Sequence, residues 1–267
     1  MAEALVAGRK VHYQLHGPEE GEPLVLVMGA GGSCQGWLPL QVPEFARDRR
    51  VLIYDHRGVG GSDDPGGPFT TADLADDLAL LMDALGIRRA HVLGAFLGGM
   101  VAQELALHRP ERVERLVLVG TWARPDAKRR LLLAQWQEMA RSSSPEILMR
   151  ERLLWTLCDE TFEQVDLVLP MIDFFRREGL PMSPDLFVRQ CQACVEHDTA
   201  SRLGSIRAPT LILCGGEDQL TPVAMHRALA AGIPDARLVT FPRCGHLVLV
   251  EAAPRLHETV RHFLEEV

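Results

Sequence analysis

Three short stretches carry residue types able to do chemistry, and they come in a definite order. Cys244-Gly245-His246 offers a histidine beside a glycine, and imidazole is the side chain best suited to general-base work near neutral pH. Gly215-Gly216-Glu217-Asp218-Gln219-Leu220-Thr221-Pro222 offers Asp218, a carboxylate that can hold an imidazole in one tautomer, with Glu217 as the lesser stand-in. Gly94-Ala95-Phe96-Leu97-Gly98-Gly99 has the glycine spacing of a Gly-x-Ser-x-Gly turn, where a strand bends sharply into a helix and presents a nucleophile. Its centre here is Phe96. A phenyl ring cannot attack a carbonyl or hand over a proton, so chemistry at this turn must do without a covalent step.

Each stretch follows a strand-like run. Val-, Ile- and Leu-rich segments alternate with longer amphipathic ones, which is an α/β pattern. Strands are expected at residues 10–16, 23–28, 50–54, 90–93, 116–119, 210–213 and 236–241. Thr70-Thr71-Ala72-Asp73 reads as a capping box, followed by Leu74, Leu78, Leu81, Met82 and Leu85 at helical spacing, with Gly86 as the stop. Further helices are expected at residues 97–108, after Pro222, and at 254–264. Between Trp122 and Leu203 no buried strand is visible, only helical segments broken by Pro125, Pro145, Pro170, Pro181 and Pro184. The expected division is a sheet core at 1–121 and 204–267 interrupted by a helical cap at 122–203. No internal repeat or low-complexity segment is visible.

Composition bounds the partners. The chain has 267 residues, 47% hydrophobic and 24% charged, enough to bury a core. A net charge of −8 argues against nucleic-acid binding through basic patches. No apolar run reaches membrane-spanning length and no signal-peptide layout opens the chain, so the expected setting is the cytoplasm, with no membrane partner. The six cysteines read as reduced, mostly buried thiols, and Cys191-Gln-Ala-Cys194 lies in a helical stretch without a second pair for zinc. No metal cluster and no cofactor are expected.

The order of elbow, acid and histidine is that of the catalytic triad of the α/β-hydrolase superfamily, which the chain resembles over nearly its whole length. Val27-Met28-Gly29-Ala30-Gly31-Gly32 stands where that family has its oxyanion loop, and Asp55-His56-Arg57-Gly58-Val59-Gly60-Gly61-Ser62-Asp63 is similar to a turn of small esterases, lactonases and C–C hydrolases. The glycine loop, Gly120-Thr121-Trp122 and Arg152-Leu153-Leu154 are similar to aminoacrylate hydrolases of pyrimidine breakdown, whose elbow also lacks Ser. Gly98-Gly99-Met100-Val101-Ala102-Gln103 is equally similar to enol-lactonases and esterases. The resemblance implies a mostly parallel sheet with a cap, Asp218 orienting His246, and the amides of Ala30 and Leu97 as an oxyanion hole. It also implies a small carbonyl-type substrate between Gly29, Trp37, Trp122 and the cap, in a monomer or homodimer. Phe96 and Met28, where the family often has His, depart from it.

Phe96 admits three explanations. One is an enzyme that dispenses with serine and lets His246 and Asp218 activate water or take a substrate proton. The others are a ligand-binding protein on a retired enzyme, and an esterase in which Ser was replaced by Phe. Losing the serine of a triad costs on the order of 10⁶ in turnover, leaving ~10³–10⁴ over water from binding and oxyanion stabilisation. A bulky residue at a strained elbow adds roughly 1–3 kcal/mol. Ser33 and Cys34 are offset candidates for a replacement nucleophile. His12, His16, His108, His197, His226 and His257 read as surface or internally satisfied residues, and Asp55 as a turn residue holding the 57–61 loop. Lys128-Arg129-Arg130 reads as a solvated helix face. Trp136, Trp155, Met171, Phe174, Phe175 and Met182 are packing residues of which a few face the cleft. The rival from another class is dinucleotide binding, since Gly29-Ala30-Gly31-Gly32 and Asp55 imitate its fingerprint. Cys34 replaces the third glycine, and Pro39 and Pro43 interrupt the helix that fingerprint needs.

Overall fold

The computed structural model describes residues 2–266, except the side chains of residues 174–176 and 178. Its strands are β1 (Ala2–Val6), β2 (Arg9–His16), β3 (Pro23–Val27), β4 (Arg50–Tyr54), β5 (Ala90–Ala95), β6 (Val113–Val119), β7 (Thr210–Gly215) and β8 (Ala236–Phe241). They form one sheet in the order β1-β2-β4-β3-β5-β6-β7-β8. The two pairings that involve β2 are antiparallel and all others are parallel.

The helices are α1 (Gln41–Phe45), α2 (Thr71–Ala84), α3 (Leu97–His108), α4 (Ala127–Ser142), α5 (Pro145–Thr156), α6 (Asp159–Phe162), α7 (Val165–Glu178), α8 (Pro184–Glu196), α9 (Val223–Gly232), α10 (Val248–Glu251) and α11 (Ala253–Glu265). Period-two alternation along the strands feeds both faces of the sheet. Val25 and Val27 of β3 and Leu116 and Leu118 of β6 pack in the core shared with α2 and α3. Leu24, Leu26, Val117 and Val119 pack on the opposite side with α1 and α11. Each such side chain, fully removed from water, stabilises the fold by about 1.5–3 kcal/mol.

β1 is absent from the sequence pattern. Ala2-Glu3-Ala4-Leu5 has weak strand propensity, and Leu5 is exposed. Ala7 and Gly8 both take positive φ (48° and 77°), the backbone of a tight hairpin turn, and β2 recruits β1 as an edge strand. The capping box at Thr70 is present, with the Asp73 amide donating to the Thr70 hydroxyl and the Thr70 amide to the Asp73 carboxylate. Gly86 ends that stretch at φ 69°.

From β6 to β7 the described residues form only helices and short turns. Here α4 packs on α8 and α5 on α7. The prolines act differently from the expectation of simple breaks. Pro145 and Pro184 open α5 and α8 behind the caps Ser144 and Ser183, where a missing N–H costs nothing. Pro170 lies inside α7. All six cysteines are free and buried. No helix among the described residues is long and apolar enough to cross a membrane.

Candidate active site

Phe96, Thr121, Asp218 and His246 stand past the carboxyl ends of β5, β6, β7 and β8, which are consecutive neighbours in the sheet. Sequence positions 150 residues apart thus meet along one edge, where a parallel sheet leaves its crevice. Phe96 is the N-cap of α3 at φ 46°, ψ −108°, a backbone that L-residues avoid. Neighbouring strands hold it there: its N–H donates to the Val119 carbonyl (3.0 Å), and its carbonyl accepts from Met100 N (3.1 Å) and the Thr121 hydroxyl (2.8 Å). The flanking glycine has a steric reason, since a Cβ on Gly98 would collide with the carbonyl oxygen of Val27.

His246 Nδ1 lies 2.9 Å from Asp218 Oδ2, so this nitrogen carries the proton donated to the carboxylate. Asp218 also accepts from the Thr221 amide (2.7 Å) and hydroxyl (2.5 Å). Burial alone pushes the Asp218 carboxyl up, but His246 and the Thr221 donors outweigh it, and the group titrates below the usual carboxylate range. Arg129 corrects the expectation of a solvated face. It is buried, and its guanidinium donates to Leu220 O (2.9 Å) and Gln219 O (2.6 Å), tying α4 to the loop that carries Asp218. His226 is also buried and accepts the Thr121 N–H at Nε2 (3.2 Å); burial pulls it down to about 4, so it stays neutral. Gly120, at φ 54°, has no side chain because a Cβ would press on the His246 ring.

The sequence pattern does not single out Thr221, Arg129 or Glu251, although an Asp-x-x-Thr-Pro run before a helix is a readable turn signal. Glu251 accepts from Gly245 N (2.7 Å), Cys158 N (2.9 Å) and the Thr161 hydroxyl (2.7 Å), which joins the His246 loop to the start of α6.

His246 and Phe96 face a cavity of about 280 Å³. Gly29, Ala30 and Trp37 line it from the sheet side, and Trp136, Arg152 and Met171 line it from the helices between β6 and β7. Trp122 does not. It packs edge-to-face on the Phe96 ring (centroids 5.1 Å, 87°) and meets that ring instead of the cavity. Trp155 and Met182 are also off the wall, and the side chains of Phe174 and Phe175 lie outside the described residues. Among the described residues neither the Ala30 nor the Leu97 amide donates a hydrogen bond to another residue.

A family model for the alpha/beta hydrolase fold matches residues 22–148 and 180–253. The chain belongs to this family. A protein of Azorhizobium caulinodans named "Putative carbamate hydrolase RutD" is 32% identical over 257 residues, 96% of each chain. Among solved structures, a hydrolase from Pseudomonas aeruginosa PA01 matches with TM-score 0.88 and 34% identity, covering 99% of this chain and 98% of the other. The enol-lactonase from Burkholderia xenovorans LB400 matches with TM-score 0.90 and 30% identity, covering 99% and 100%.

In this α/β-hydrolase the Asp55 turn does more than hold residues 57–61. The buried Asp55 carboxylate accepts from Cys34 N (2.7 Å), His12 Nδ1 (2.8 Å) and Gly61 N (3.3 Å), anchoring the loop that follows β3. His12, Cys34 and Asp55 thereby place potential ligand atoms within 4.8 Å of one another, a grouping that the expectation of no metal cluster did not foresee. Their hydrogen bonds already occupy the carboxylate. Burial and the Asp55 charge push the Cys34 thiol far up, so it is no thiolate nucleophile. The same contacts remove the dinucleotide resemblance: Asp55 is not open to a ribose, and Gly29–Gly32 leads into a 3₁₀ turn (Cys34–Trp37), not a phosphate-binding helix.

Proposed function

We propose that this α/β-hydrolase cleaves small ester, lactone or carbamate-type substrates by direct attack of water, with His246 as general base. The observation that carries the reading is the His246 ring on the cavity wall, backed at Nδ1 by Asp218. Nε2 takes a proton from water as its oxygen bonds to the carbonyl carbon, and Asp218 stabilises the imidazolium. The amides of Ala30 and Leu97 hold the oxyanion, and the imidazolium returns its proton to the leaving group as the scissile bond breaks. Phe96 is an apolar floor in this scheme and takes no part in bond making. Residues 122–203 act as the cap that closes the cleft. The names of the carbamate hydrolase and enol-lactonase relatives agree with a carbonyl-type substrate.

One observation favours a second reading. Phe96 is 6% exposed, and its ring lies against His246 where a nucleophile's hydroxyl would reach. On that reading the site binds such molecules without turning them over. Initial rates on short aryl esters, lactones and carbamates, measured for the chain and for His246→Ala, separate the two. Turnover above buffer that vanishes in His246→Ala, without a covalent acyl adduct by mass spectrometry, supports hydrolysis. A chain no faster than buffer on every class supports the binding reading.

A further inference from the structure

Arg152 stands out among the residues around the cavity. It projects from α5, and its Nη2 donates to the Ala30 carbonyl (2.7 Å). Its guanidinium carbon lies 5.2 Å from the Phe187 ring centroid and 5.7 Å from that of Trp136, so aromatic faces stabilise the cation without neutralising it. Nη1 rests over Gly31, in the space a side chain there would fill. Both Nε and Nη1 are buried and unpaired. By contrast, the buried arginines Arg49 and Arg129 each meet a carboxylate. Among the described residues no aspartate or glutamate lines the cavity.

A second unpaired donor sits behind the same loop, outside the cavity lining. Gln190 of α8 is fully buried, and its Oε1 accepts the Gly31 N–H (2.8 Å), which fixes the amide's orientation. Its Nε2 is left without a partner. Buried donors without acceptors are costly, and a fixed cation in a mostly apolar wall favours an anion over a neutral isostere. The planar fork of Arg152 matches the two oxygens of a carboxylate.

We propose that Arg152, resting on the loop that Gln190 anchors at Gly31, makes the cleft selective for small molecules bearing a carboxylate, so that the substrates are carbonyl compounds with a free acid group. This rests on the proposed function for the word substrate, but the recognition itself is a binding property. Arg152 is a specificity residue and takes no part in the proton transfers at His246.

Titration calorimetry with butyrate and with its neutral isostere butyramide tests it without requiring turnover. The expected result is butyrate bound about ten- to hundredfold more tightly, as a charge-assisted pair provides. Arg152→Gln removes that preference and Arg152→Lys restores part of it. Equal affinities, no measurable binding of butyrate, or a preference that survives in Arg152→Gln overturns the proposal. If Arg152→Gln fails to fold, the wild-type ratio decides alone. A butyrate preference in a protein with no hydrolytic rate supports carboxylate recognition while removing the hydrolytic reading. His246-dependent hydrolysis with no such preference does the reverse.

Discussion

The Phe96 ring stands perpendicular to the His246 imidazole, with centroids 5.4 Å apart and an interplanar angle of 83°. A second perpendicular contact, to Trp122, holds the ring from another side. The strained elbow is therefore retained with an aromatic side chain at its centre, next to a histidine that is still oriented by its acid.

Phe96→Ser is expected to convert this site to covalent catalysis. Loss of a triad serine costs on the order of 10⁶ in turnover, so even partial recovery raises aryl-ester hydrolysis by at least roughly a hundredfold. Stopped-flow assays should show a burst of aryl alcohol absent from the parent chain. An unchanged rate in a folded variant means the oxyanion amides are not positioned for a tetrahedral intermediate.

Asp218→Asn should lower turnover by up to about 10⁴-fold with little change in KM, because the amide favours the wrong imidazole tautomer. Thr221→Val removes one donor to a charged carboxylate, worth about 1.5–3 kcal/mol, and should give a smaller loss of the same kind. Steady-state kinetics on one substrate compares them. Equal losses would make Thr221 as important as the acid.

Arg129→Met leaves the carbonyls of Gln219 and Leu220 without their donor. A buried unsatisfied group costs about 1–3 kcal/mol, so the urea midpoint should fall. Turnover should drop beyond what unfolding explains, since Asp218 precedes these residues directly. A folded variant with parental kinetics would confine Arg129 to stability.

Acid should weaken the fold before ordinary carboxylates titrate. Burial lowers His197 and His226 to about 4 from an ordinary value of 6.5, and it also lowers His56, His91 and His257. Between pH 6.5 and 4 the unfolded chain takes up protons that the folded His197 and His226 refuse. Their contribution is complete above pH 6.5 and declines by up to about 1.4 kcal/mol per pH unit per histidine as pH falls. Urea unfolding at pH 7.5 and 5 reads this directly. Equal stabilities at the two values would contradict it.

None of the six thiols should react with a disulfide reagent in the native state. All are buried, and burial raises Cys34, Cys191, Cys194, Cys214 and Cys244. Colorimetric titration should count six thiols only in denaturant. Rapid native labelling of Cys34 would reopen it as a nucleophile.

The local sequence determined most of the sheet and the order of its chemistry. Alternating Val and Leu runs, the Thr70 capping box and the glycines around Phe96 act through near neighbours, and periodicity reports them without a fold. Tertiary structure decided what depends on contacts distant in sequence. β1 forms because β2 offers it hydrogen bonds, and Arg129 is buried because two carbonyls 90 residues away lie above α4. Trp122 moves off the cavity wall because the Phe96 ring meets it first. Arg152 lies 122 residues from the carbonyl it meets, and its unpaired nitrogens appear only once α5 rests over the Gly29–Gly32 loop. Hydrogen-bond satisfaction belongs to the folded chain, because whether a donor finds its acceptor depends on geometry that residue type and spacing do not contain.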